Sequence, residues 1–235
     1  MNDQQDIAKR IVTSVAYRIQ TRIEFLFSTF RIFDANFGEL KHLLETFRDA
    51  EPENPIWNID RRYEIDAMGQ EAMRRLHNLL ASAKTLVDLV RVMVNSHYDG
   101  TTFHDEYLRE IKTRFADDPL TQFVHGLRNY MLHYGLPLTS AEMEIKAGEA
   151  EGQLSITSRF VLNLNALAEW DGWNGPAKTF LDAQESDLDI LPFTEQYHAK
   201  IQSYHAWIQA RIAELHADDL RWLDEMRGKL GPRIT

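Results

Sequence analysis

Cysteine is absent from the 235-residue chain, so no disulfide framework, thiolate zinc site or thiol nucleophile is open to it. That fits a reducing compartment. No apolar stretch approaches the length of a membrane span, and the opening Met1-Asn2-Asp3-Gln4-Gln5-Asp6 is polar and acidic where a secretory leader would be basic and then apolar. The expectation is a cytoplasmic protein with no membrane partner. No glycine-rich phosphate loop and no Gly-x-Ser-x-Gly elbow occurs, which removes P-loop nucleotide hydrolysis and serine-hydrolase chemistry. Positive charge is also short: 26 Lys and Arg stand against 36 Asp and Glu, a net charge of -10. A broad polyanion-binding surface needs many cationic contacts, so any nucleic acid must be held locally, in a confined cleft of Arg and His.

What is present is an ordinary globular composition, 44% hydrophobic and 26% charged, long enough to bury a sizeable core. From Asp6 to about Phe33 no Pro or Gly occurs, and Ile11, Val15, Ile19, Ile23 and Leu26 recur at steps of three and four, which predicts a long helix. Asn36-Phe37-Gly38 is expected to interrupt it, with a shorter helix over Glu39 to Arg48 before the Pro52 and Pro55 loop. Ile59 to His97 forms the longest predicted helix. One side gathers Leu76, Leu79, Leu80, Ala83, Leu86, Val87, Val90, Met93 and Val94; the other carries Arg74, His77, Asn78, Lys84, Asp88, Arg91 and Asn95.

Asp99-Gly100 stops that helix, Phe103 to Phe115 predicts a short one, and Asp117-Asp118-Pro119 caps the next, Leu120 to about Tyr134, which Gly135 and Pro137 end. The period then changes to two: Met143, Ile145 and Ala147 alternate with polar residues, Gly148 to Gly152 turns, and Leu154, Ile156, Phe160, Leu162 and Leu164 follow. This predicts a β-hairpin. After a Trp-rich connector, a second long helix is expected from near Phe193, with the stripe Phe193, Tyr197, Ile201, Tyr204, Ile208, Leu215, Trp222 and Met226. The predicted fold is mainly α, an up-and-down helical bundle with long helices and one inserted β-hairpin. Residues 1–137 form the bundle, and 138–235 add the hairpin and C-terminal helices within the same domain.

On the Leu120–Tyr134 helix, Leu120, Phe123, Val124, Leu127, Tyr130, Met131 and Tyr134 fall within one arc of roughly 120°. Thr121, Gln122, His125, Arg128, Asn129 and His133 form a polar ledge on the other side, with Leu132 its one apolar intruder. Arg is a permanently charged, bidentate phosphate binder, and His titrates near neutral pH; together they suit phosphodiester chemistry. The competing account is structural. Arg128 then pairs with a surface carboxylate, and His133 is simply favoured near a helix C-terminus by the dipole. Lys84 and Arg91 lie four and three positions from Asp88, the spacing of a solvated salt-bridged face; in the functional account they support the phosphate site. His97 with His104, and His198 with His205, lack the carboxylate spacing of a metal site, and the five Trp suit core or interface anchors.

The segment Leu127-Arg128-Asn129-Tyr130-Met131-Leu132-His133, at the end of a helix stopped by Gly135-Leu136-Pro137, resembles the motif of the HEPN superfamily, whose members are helical bundles carrying an Arg, a polar residue and a His four to six residues after the Arg. The preceding helix with His77-Asn78 and Arg91 is similar to the partner helix of such a bundle. The resemblance covers roughly Asp6 to Pro137. It implies a metal-independent endoribonuclease acting without cofactor at a homodimer interface, in a toxin or defence role, with a cognate antitoxin or partner protein. Arg128, His133 and Asn129 would be catalytic, with His125, Arg91 and Lys84 binding RNA and no metal ligands. Other members of the superfamily are non-catalytic modules that bind a partner protein or nucleotide, and that alternative stands beside the first.

Overall fold

The computed structural model describes residues 3–50, 54–147 and 154–230. Among them are nine α-helices and three strands, so the fold is mainly α with one small antiparallel sheet. The chain divides into two compact units: Ile32–Ala199, and the flanking segments Met1–Arg31 with Lys200–Thr235. No helix among the described residues is long and apolar enough to cross a membrane.

In the unit made by the flanking segments, Ile11 of α1 (Asp3–Thr13) and Leu223 and Met226 of α9 (Ala217–Gly228) form a small core with Ala16. A break at Ser14 separates α1 from α2 (Val15–Arg48), because the Ser14 hydroxyl donates to the Ile11 carbonyl and accepts the Tyr17 amide, an N-cap for the second helix. Periodicity does not reveal this break, since the apolar spacing continues across it. The predicted C-terminal helix is likewise two: α8 (Ile190–Leu215) and α9, separated at His216, which leaves Leu215 exposed rather than in the stripe.

The predicted interruption at Asn36-Phe37-Gly38 does not occur; α2 is continuous through it. A helical glycine costs about 1 kcal/mol. Burial of Phe33, Phe37 and Leu40 around it, at about 1.5–3 kcal/mol per large apolar side chain, outweighs that. The Asn36 amide, instead of turning the chain, donates to the Ile32 carbonyl within the helix.

The Ile32–Ala199 unit is built on α3 (Arg62–Tyr98), whose buried stripe includes Leu76, Leu79, Leu80, Ala83, Leu86, Val90, Met93 and Val94, as the periodicity predicts apart from Val87. Its start follows short 3-10 turns at Pro55–Trp57 and Ile59–Arg61. Next come α4 (Thr102–Ile111), capped by the Thr101 hydroxyl, a π turn over Lys112–Ala116, and α5 (Pro119–His133). The hairpin pairs β1 (Thr139–Ala147) with β2 (Leu154–Leu162), Thr139 opposite Leu162 and Ala147 opposite Leu154; the expected turn at Gly148–Gly152 lies outside the described residues.

A third strand, β3 (Leu188–Asp189), pairs with β2 and makes it central. Phe160, Val161 and Leu162 are buried in succession instead of alternating, so β2 is covered on both faces at this end. Leu164, expected to extend the strand, opens α6 (Leu164–Ala168), and α7 (Gly175–Asp182) occupies the connector. Asn163 and Asn174 cap these two short helices.

Candidate functional site

Helix α5 starts where Asp118 accepts both the amide and the hydroxyl of Thr121, at 2.8 and 2.7 Å, with Pro119 in the first turn. This buries Thr121, which the sequence places on the polar ledge. Gln122, also on the ledge, is taken up by the Phe115 carbonyl and by Asn174. The apolar face packs as expected: Phe123 stacks on Phe180 and Trp173 and meets Phe193 edge-on. Tyr134 departs from that face. It follows the last helical residue and is 58% exposed, because the amides of Tyr134 and Gly135 both close onto the Tyr130 carbonyl and end the helix there.

Trp173 sits directly over Gly126. A Cβ at that position would lie 2.6 Å from the indole ring, well inside ordinary contact at about 3.5–4.0 Å. The ring is buried and its N–H donates to the Leu167 carbonyl at 2.7 Å, so the glycine permits the approach that seats the motif helix two residues before Arg128.

Four of the six candidate site residues stand in two groups, Arg128 with Asn129 and Lys84 with Arg91. Arg128 donates through Nη1 to Asn129 Oδ1 at 3.2 Å, and its Nε is buried with no hydrogen-bond partner among the described residues. Lys84 Nζ and Arg91 Nη2 both reach Asp88 Oδ1, at 2.5 and 2.9 Å, the salt-bridged face that their spacing predicts. His125 is mostly buried, and its Nε2 has no hydrogen-bond partner among the described residues. Burial first, and then the nearby Lys84 charge, push its pKa down, against a smaller opposing effect of Asp88; the fold thus favours the neutral form of His125. His133 closes the helix exposed, with exposed Leu132 and Tyr134 on either side.

Five residues along a regular helix turn through about 500°, which sets Arg128 and His133 about 140° apart around the α5 axis. One copy of α5 thus offers its Arg and its His in different directions. Among the described residues, no group of three or more His, Asp or Glu is placed to hold a metal ion. His198 and His205 have structural partners. His198 bonds Asp34 at 2.8 Å and stacks on Phe37, while buried His205 stacks on Phe30 and bonds the Leu26 carbonyl.

A second feature is a groove of about 1180 Å³ between the first half of α3, the 3-10 turn at Trp57 and strand β1. Its α3 wall is the stripe Arg62, Ile65, Asp66, Gly69, Met73 and His77, at steps of three and four. That spacing is legible in the sequence, whereas the strand lying opposite it is not. Comparison with known proteins returns no matching family model, no significant match among curated proteins and none among solved structures.

Proposed function

We propose that the chain is a metal-independent endoribonuclease of the HEPN type, working in the cytoplasm as a homodimer in which the C-terminal ends of two α5 helices face each other. The observation that carries this is the end of α5, where His133 is exposed between two exposed apolar side chains, Leu132 and Tyr134. An apolar margin around a titratable group is the kind of surface that association covers. A second copy would also supply what one copy lacks, since Arg128 and His133 diverge by about 140° on one helix. The motif resemblance supplies the reaction class.

In that reaction the ribose 2′-oxygen bonds to phosphorus and the bond from phosphorus to the 5′-oxygen breaks. One His133 takes the 2′-hydroxyl proton, and the His133 of the other copy gives a proton to the departing 5′-oxygen. Arg128 holds the non-bridging oxygens as charge grows on them, with Asn129 orienting its guanidinium through the bond already present. The products are a 2′,3′-cyclic phosphate and a free 5′-hydroxyl. The test is cleavage of a generic RNA in chelator by the wild-type protein beside Arg128→Ala and His133→Ala. Loss in both variants at unchanged mass supports the proposal; equal activity in all three preparations marks contamination and ends it.

The second reading is a non-catalytic module that binds a partner protein or nucleotide with the same surface. It is favoured by the pairing of Arg128 with Asn129 and of both Lys84 and Arg91 with Asp88, which leaves these cations already neutralised or engaged. Under it, no preparation cleaves RNA.

A further inference from the structure

Strand β1 is at one edge of the sheet, with a strand partner on its β2 side only among the described residues. The Asn163 amide donates to the Leu138 carbonyl at 2.8 Å, continuing the β1–β2 register. Antiparallel ladders alternate, so the even-numbered residues of β1 bond to β2. The N–H and C=O groups of Thr139, Ala141 and Met143 therefore point outward from the edge. Thr139, Ser140, Ala141 and Met143 all line the groove. Residues of both parities do so, which means that the strand presents its edge to the groove as well as one face.

The groove's floor and wall match what an added strand would bring. Phe160 and Met73 supply buried apolar surface, and Leu136 and Met143 are 66% and 48% exposed. Among the described residues, Arg62 and His77 on the α3 wall have no ion-pair or hydrogen-bond partner, Arg74 is held by Glu71, and Asp66 is the one carboxylate against these two arginines in the groove's lining. An exposed edge with an apolar groove beside it is a template for an extended chain, and the excess of arginine over carboxylate in the lining, Arg62 and Arg74 against Asp66, selects an acidic side chain on it. This is unusual on a chain of net charge -10.

We propose that the groove between α3 and β1 binds an extended segment of a partner protein, which adds to the edge of β1 as a further strand. Main-chain bonds go to Thr139, Ala141 and Met143. From Thr139 to Met143 the edge spans about 14 Å, room for a segment of about five to seven residues. Alternate side chains of the segment face α3, apolar ones over Met73 and Phe160 and an acidic one toward Arg62 and His77. This site is separate from the α5 motif, and it stands whether or not the chain cleaves RNA.

The experiment titrates the full chain into a fluorescein-labelled heptapeptide, Thr-Val-Thr-Leu-Thr-Glu-Thr, and into the same peptide with Lys in place of Glu, reading anisotropy. The Glu peptide is expected to bind at least tenfold tighter than the Lys peptide. Ala141→Pro, which removes an outward N–H that the β1–β2 ladder does not use, is expected to weaken binding at least tenfold, and Glu142→Gln on the alternate parity to leave it unchanged. In the wild-type protein, the amides of Thr139, Ala141 and Met143 should gain protection from hydrogen exchange when the Glu peptide is added; this readout does not depend on any variant folding. Absence of binding by either peptide overturns the proposal. So does binding with no protection of these amides, or protection of them by an unlabelled uridine oligonucleotide alone. Protection in the protein by itself, appearing with a doubled mass, assigns the edge to a second copy and also overturns it.

Discussion

Replacing Gly126 by alanine places a methyl group 2.6 Å from two carbons of the Trp173 ring. Ordinary carbon contact needs about 3.5–4.0 Å, so ring or helix must give by about 1 Å. The ring has little freedom. It is buried, its indole N–H holds the Leu167 carbonyl at 2.7 Å, and Trp170 abuts it edge-on at 4.9 Å. Overpacking of this kind costs about 1–3 kcal/mol, opposed by about 1 kcal/mol of helix propensity gained on replacing glycine. The expected net loss is up to about 2 kcal/mol, a fall in Tm of roughly 2–4 °C per kcal/mol. Gly38→Ala is the matched control. It sits within α2 with nothing within 4 Å of a Cβ, so only the propensity gain of about 0.5–1 kcal/mol applies, and Tm should rise. Thermal unfolding of both variants beside wild type, with near-ultraviolet circular dichroism following the Trp environment, checks the contrast. A Gly126→Ala protein as stable as Gly38→Ala would refute the claim that Trp173 seats the motif helix.

Three further outcomes are expected. The Ser158 hydroxyl is fully buried and donates to the Phe47 carbonyl at 2.6 Å; Ser158→Ala should cost about 1 kcal/mol in urea unfolding by leaving that carbonyl only the long 3.5 Å bond from the Ala50 amide, and a neutral effect would contradict the bond. Burial lowers the pKa of His205, and also of His125, where the Lys84 charge adds to it. A histidine neutral in the fold binds its proton more readily when unfolded, so stability should be full above the ordinary histidine pKa of about 6.5 and fall as pH drops below it; His205→Phe should flatten part of that fall, and an unchanged pH profile would count against the burial. Lys84→Met removes one of the two cations on Asp88 and one cause of the lowered His125 pKa, so the His125 titration followed by NMR should move upward; a downward move would contradict the assigned cause.

Much of the fold was legible because its helices bury stripes with a regular period. The α3 core from Leu76 to Val94 and the α5 face from Leu120 to Met131 are where 3.6-residue spacing places them. Local chemistry produced the misses. Ser14 ends one helix and caps another without disturbing the apolar period, and Gly38 fails to break α2 because burial of its neighbours exceeds its small intrinsic cost. The two-residue strand β3 and the capped turns α6 and α7 are too short for periodicity to register. At the candidate site, spacing correctly tied Lys84 and Arg91 to Asp88, because those contacts stay within one helix. Thr121 and Gln122 left the polar ledge through Asp118, Phe115 and Asn174. The groove joins α3 to β1 across some seventy residues of sequence, a distance that no local pattern spans.

The most direct test of the proposed function is the RNA reaction itself. Purified wild-type protein, Arg128→Ala and His133→Ala are incubated with RNA in excess chelator, the product ends are determined, and the mass and melting temperature of each preparation are measured alongside. The account predicts 2′,3′-cyclic phosphate ends from the wild type alone, with a loss of at least about a hundredfold in each variant, the scale of general acid–base and charge-stabilising groups, and with mass and melting unchanged. Absence of cleavage by a folded dimeric wild type, or equal cleavage by all three proteins, would contradict it.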